Sequence, residues 1–116
     1  MAIKIVKEPI SKKELEEIAK EEFGNVIKAV VDIEQKIMAV GGELHADEEV
    51  LLMENEGSNR ENTWGINLYL DKSGEEFVEF DSMINLKPAF GNRTRGVASK
   101  EIQERIIAIV NKLVLK

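Results

Sequence analysis

The sequence predicts an α+β domain, with one mostly antiparallel sheet of five or six strands and two helices packed on one face. Three observations lead there. The segments after Ser11 and after Ser99 repeat apolar residues at helical spacing behind a capping residue. Stretches beginning at Val26 and Trp64 alternate apolar and less apolar residues with period two, as half-buried strands do. The links between the period-two stretches are short or rich in turn residues, which suits antiparallel neighbours. The expected order is β-α-β-β-(β or α)-β-β-α, in a single domain over residues 1–116.

The first element is a strand from Ile3 to Lys7, ended by Glu8-Pro9. Ser11 then caps a helix, Glu14 completes a capping box, and Ile10 can staple against Leu15. Leu15, Ile18, Ala19 and Phe23 form its apolar stripe, and Gly24-Asn25 stops it. From Val26, the residues Ile27, Ala29, Val31 and Ile33 alternate with Val26, Lys28, Val30 and Asp32. Glu34-Gln35-Lys36 turns the chain back into Ile37-Met38-Ala39-Val40, so the pair reads as a hairpin. Val50 to Glu54 fits strand or helix equally, and residues 55–62 are a polar loop. Trp64, Ile66, Leu68 and Leu70 share one strand face, and Asp71 to Gly74 turns it. Phe77 to Leu86 is expected to continue antiparallel, with Val78, Phe80, Ile84 and Leu86 on one face. After an irregular stretch from Pro88 to Gly96, Ser99 caps a closing helix whose face is Ile102, Ile106, Ile109, Val110, Leu113 and Val114. Ile18, Phe23, Val31, Ile33, Ile66, Leu68, Phe80, Ile84, Ile106 and Ile109 are the expected core.

Composition narrows the function classes. With 43% hydrophobic and 33% charged residues the chain is that of a folded, soluble protein. No stretch approaches the roughly 20 apolar residues that span a bilayer, and Met1 to Lys7 is too short an apolar segment for a secretory signal. The absence of cysteine excludes thiolate chemistry and disulfides and makes the cytoplasm the expected location. Lys and Glu richness with two prolines points to a thermophilic source. A net charge of −6 argues against duplex nucleic acid as a partner. That charge is uneven: from Ile84 onward seven basic residues face two acids, a local +5 against −11 for the rest. A basic end on an acidic body suits a local anion, or pairing between halves or subunits.

Two runs carry candidate chemistry. Gly41-Gly42-Glu43-Leu44-His45-Ala46-Asp47 sets the only histidine between carboxylates at alternate positions. If the run is extended, Glu43, His45 and Asp47 point to one side, where they can hold a divalent metal or perform acid–base work. Alternatively, Asp47 followed by Glu48 and Glu49 is an N-cap with acidic first-turn residues, and His45 is a loop residue. The second run is Pro88 to Gly96. Glycines at 91 and 96 free the backbone, and Asn92, Arg93, Thr94 and Arg95 supply donors for a phosphate or carboxylate. It has neither a Walker ending nor a dinucleotide fingerprint.

Gly41 to Asp47, Trp64-Gly65-Ile66-Asn67, and Ile84-Asn85-Leu86 with Pro88, Gly91, Asn92 and Arg93 together resemble a family of small bacterial and archaeal proteins known only as a domain of unknown function. The opening Ile5 to Ile10, the strand Val30 to Glu34 and the closing helix extend the resemblance over nearly the whole chain. It implies no reaction, substrate or catalytic residue. Compared with that family's pattern, Ala89 and Phe90 are apolar where polar residues are common, while Thr94 keeps the hydroxyl of a common serine. The expected function is therefore a small non-catalytic protein that binds a phosphate-bearing ligand or a partner through residues 91–95. The alternative is a metal-assisted or acid–base hydrolase-like enzyme using Glu43, His45 and Asp47. A homodimer is expected as well, because Val26, Val30, Met38 and Val40 read as an apolar sheet face with nothing to cover it. If the chain is monomeric, residues 55–62 or the run at Val50 must cover that face.

Overall fold

Strand β1 (Lys4–Val6) and the two-residue β2 (Ile10–Ser11) open the chain in the computed structural model, which describes residues 3–21 and 24–115. Helix α1 (Lys12–Lys20) follows, and the Ser11 hydroxyl accepts the Glu14 N–H at 3.1 Å, as the capping box requires. Leu15 and Ala19 are fully buried with Ile18 beside them, whereas Phe23, expected in the same stripe, lies outside the described residues. Gly24, at φ 76°, donates its N–H to the Ala19 carbonyl and closes the helix.

Strands β3 (Val26–Asp32) and β4 (Ile37–Val40) form the expected hairpin, with Ala29 opposite Val40 and Val31 opposite Met38. Asp32 builds the turn: its Oδ1 accepts the N–H groups of Glu34 and Gln35, while Oδ2 takes the Ser58 hydroxyl at 2.6 Å. Strand β5 (Thr63–Tyr69) pairs with β3 along its length, and the short β6 (Val78–Glu79) pairs with β5. The sheet order is β1-β4-β3-β5-β6, antiparallel at every joint. The opening β-α-β unit does not pair directly, because β4 lies between β1 and β3. The Ser99 hydroxyl caps α3 (Lys100–Leu113) through the Ile102 N–H, and β7 (Val114–Leu115) then pairs in parallel with β2.

Both faces of the sheet are covered. On one face, Ile27, Ala29, Val31, Met38, Val40, Trp64, Ile66 and Leu68 pack against Leu15 and Ala19 of α1 and against Ile106, Ile109, Val110 and Leu113 of α3. This is the predicted pair of helices on one face. On the other, Val30, Ile37 and Ala39 pack against Leu52 and Ile84. Leu52 belongs to α2 (His45–Glu56), so the ambiguous run at Val50 is helix.

Three expectations are corrected here. Met38 and Val40 point into the main core, and the face that carries Val30 is filled by α2, so the bare patch behind the homodimer argument is not there. Ile84 packs in the second cluster rather than in the main core. Phe77 to Leu86 is not one strand. After β6 the chain leaves the sheet at Phe80, because Ser82 caps a 3-10 turn over Met83–Asn85 by accepting the Ile84 N–H. The Asn85 side chain then replaces a strand neighbour for Gly65, accepting its N–H at 2.8 Å and donating to its carbonyl at 3.0 Å. Gly65 permits this approach, since a Cβ there would lie 2.5 Å from the Ser82 side chain.

Candidate functional site

The first candidate run is not an extended strand. Gly41, at φ 94°, turns the chain, and the fully buried Glu48 reaches back to accept the Gly42 N–H at 2.9 Å. A Cβ on Gly42 would meet Glu48 Cγ at 2.9 Å, so the helix can start this close only behind glycine. Helix α2 begins at His45, and its N-cap is Leu44 rather than Asp47. Helical rather than strand spacing therefore separates His45 from Asp47, and Glu43 lies in the bend before the helix. The Glu43 and Asp47 side chains are exposed, and among the described residues neither makes a hydrogen bond or ion pair, nor do three His, Asp or Glu gather as a metal-holding group.

His45 alone of the three is turned inward. Its Nε2 lies 2.8 Å from the Ile66 carbonyl, which can only accept, so Nε2 carries the proton. Burial pushes the imidazole pKa below its usual value. The Ile66 carbonyl opposes that shift, and nearby Lys28 reinforces it. The ring is thus held neutral at neutral pH.

His45 lines a cleft of about 370 Å³ together with Lys28, Leu44, Ala46, Asn67, Asp81, Ser82, Met83, Ile84 and Arg95. The floor is the cross-strand pair Lys28–Asn67, on the same sheet face as Val30 and just past the part that α2 covers. One wall is the first turn of α2, where the Asp47 and Glu48 N–H groups donate to the Leu44 carbonyl and those of His45 and Ala46 are left without a side-chain cap. The opposite wall is the 81–84 segment with Arg95.

The second candidate run supplies that wall, and its residues divide sharply in role. Asn92 is 3% exposed and is spent on the loop itself. Its Nδ2 donates to the carbonyls of Asn85, Thr94 and Gly96, and its Oδ1 accepts the Ala98 N–H, which leaves it nothing for a ligand. Thr94 turns its hydroxyl to the Gly96 N–H at 3.2 Å. Arg93 is exposed and unpaired among the described residues, and it does not line the cleft. Arg95 does. Its carbonyl is pinned by the Ser82 N–H and by Asn85 Nδ2, each at 2.9 Å, and its Nε donates to Asp81 Oδ1 at 2.8 Å. The terminal guanidinium nitrogens remain available.

One candidate group from each run, His45 from the first and Arg95 from the second, therefore meets in a single cleft, along with residues that neither run suggested. Lys28, Asn67, Asp81 and Met83 were beyond sequence reasoning because their proximity depends on strand register and on the 83–85 turn. The polar interruptions Lys28 and Asn67 within apolar strands were the available signal. No curated protein and no solved structure matches this chain. The family described as Protein of unknown function (DUF5674) matches residues 4–113, and the chain belongs to that family.

Proposed function

We propose that this protein is a small binding protein that holds the anionic group of a ligand, a phosphate or carboxylate, in the cleft between α2 and the 81–95 segment. The observation that carries the reading is the meeting of Lys28, His45 and Arg95 in one cleft of a chain whose net charge is −6. Asp81 orients the Arg95 guanidinium through Nε, so its terminal N–H groups are presented in a fixed plane suited to two oxygens. The uncapped first turn of α2 adds backbone donors and the positive end of its dipole. His45, neutral and bonded to Ile66, shapes the wall between these charges.

Titration calorimetry with inorganic phosphate and with acetate tests this reading. Binding should weaken at least about tenfold in Lys28→Ala with Arg95→Ala, and should weaken as salt screens the pair. Arg93→Ala should bind as the wild type does, since Arg93 stands outside the cleft. No binding of either anion to the wild type would overturn the proposal.

A second reading attaches to the same cleft because His45 lines it: metal-assisted or acid–base catalysis, with Glu43 and Asp47 swung toward the ring. Heat on titration with zinc, manganese or magnesium that disappears in His45→Ala would promote it. For self-association we infer a monomer, since α2 covers the sheet face that a partner was expected to cover. No helix among the described residues is long and apolar enough to cross a membrane. With no cysteine in the chain, the cytoplasm is the location we infer.

A further inference from the structure

We propose that the ligand of this cleft is an amphipathic anion, whose charge lies against Arg95 and Lys28 while an apolar arm is clasped between Leu44 and Met83. The inference rests on the anion-binding reading and goes further by naming the class of ligand. Leu44 and Met83 are 58% and 61% exposed, the two most exposed large apolar residues among those described, and both line this one cleft. They stand on different elements, Leu44 at the start of α2 and Met83 at the first position of the Ser82-capped turn. Ala46 and Ile84 continue the apolar lining beside them. An apolar pair across a cleft, with the half-buried Lys28 and Asn67 at its floor and Arg95 at its side, matches the usual composition of a small-molecule site, apolar lining with a few convergent polar groups.

Leu44 provides a second, independent argument. It occupies the N-cap of α2 in extended backbone, φ −128° and ψ 141°, where the side chain of Ser, Thr, Asp or Asn would accept a first-turn N–H and that of leucine cannot. Nor does it gain by burial, being largely in water. A residue that is poor for the helix and poor for the surface, placed at the mouth of a cleft, breaks two local rules without a compensating contact in the folded chain. An apolar ligand arm would supply that contact.

The cleft is open to either acid chemistry, so the test uses both. Acetate and octanoate, and inorganic phosphate and methyl and octyl phosphate, are titrated into wild type, Leu44→Ser and Met83→Ser, with every chain kept below its micellar concentration. The octyl compound of the preferred acid should bind at least about tenfold more tightly than its short counterpart, and 1-octanol, without the charge, should bind far more weakly. Leu44→Ser should lose most of that gain while melting higher than the wild type, because serine supplies the missing cap. A merely structural role for Leu44 would not produce this pair of opposite changes. Met83→Ser should lose affinity for the octyl compound without the gain in melting temperature. Equal binding of short and octyl anions, tight binding of octanol, or octyl binding unchanged in both variants would overturn the inference and leave the anion site standing. Failure of every probe to bind would overturn the anion site as well.

Discussion

Lys87 is carried into the interior as a cation and has almost no contact with water, its side chain being 1% exposed. Its Nζ donates to the carbonyls of Arg60 and Thr63, lies 4.8 Å from the centre of the Trp64 ring, and stands 4.0 Å from Glu49 Oε2. Glu49 is itself satisfied by Arg60 at 3.0 Å and by the Thr63 hydroxyl at 2.6 Å. Burial therefore prevails over Glu49 and pushes the Lys87 pKa from 10.5 down to about 8. Between those two values the unfolded chain holds a proton that the folded chain does not, so folding becomes more favourable as pH rises across this window. The cost of burying the ammonium is present in full below pH 8 and is relieved on the way to 10.5, by at most about 3 kcal/mol. A neutral amine keeps two N–H groups, enough for both carbonyls. Urea unfolding of wild type and Lys87→Met at a series of pH values isolates this residue, and the wild type should gain on the variant from pH 8 upward. A difference independent of pH would mean that Lys87 stays charged throughout.

Among the elements, those whose inward side is apolar were legible and those whose inward side is polar were not. Helices α1 and α3 announced themselves through a serine cap and an apolar stripe, and both caps are made. Helix α2 reverses the usual pattern. Its inward side is His45, Glu48, Glu49, Leu52 and Glu56, four of them polar, while Val50 and Met53 face outward, 49% and 41% exposed. The partners that make such burial tolerable, Gly42, Thr63, Arg60 and Lys7, come from elsewhere in the chain, so no local period could reveal it. The 82–85 turn was read as strand for a similar reason. Ser82, Ile84 and Leu86 alternate acceptably, and only the meeting of Asn85 with Gly65 shows that a side chain ends the ladder there. The same amide holds the Arg95 carbonyl, so Asn85 links the sheet to the cleft wall. Asn85→Leu should cost about 2–4 kcal/mol by leaving the Gly65 N–H and carbonyl without their side-chain partner in the interior and by removing one of the two bonds to the Arg95 carbonyl. It should also weaken anion binding beyond what the stability loss explains, because the Arg95 backbone is then held by Ser82 alone. Denaturant unfolding read beside titration with the best-binding probe checks both, and affinity at the wild-type level in a destabilised variant would show that Ser82 and Asp81 position Arg95 without Asn85.

At the scale of the whole molecule, two cores of unequal size share one sheet, and the difference bears on how copies of the protein meet. The larger core is sealed by α1, α3 and the parallel β2–β7 pair. The smaller one depends on α2 and Ile84 over Val30, Ile37 and Ala39, and past the end of α2 the same face carries the Lys28–Asn67 pair that floors the cleft. A symmetric dimer through this face would have to displace α2 and with it Glu48 and Glu49, whose buried carboxylates are bonded to Gly42, Arg60 and Thr63. That exchange uncovers polar groups whose partners lie within the chain and offers little apolar area in return, since Leu52 is the fully buried apolar residue that α2 contributes. The outward Val50 and Met53 lie beside Glu54 on a surface that is acidic overall, where a second copy meets like charge. Light scattering across a concentration series should therefore give a constant mass near 13.1 kDa at moderate salt. A mass that doubles with concentration, and that falls back in Val50→Lys with Met53→Lys, would show instead that the outer side of α2 is an interface.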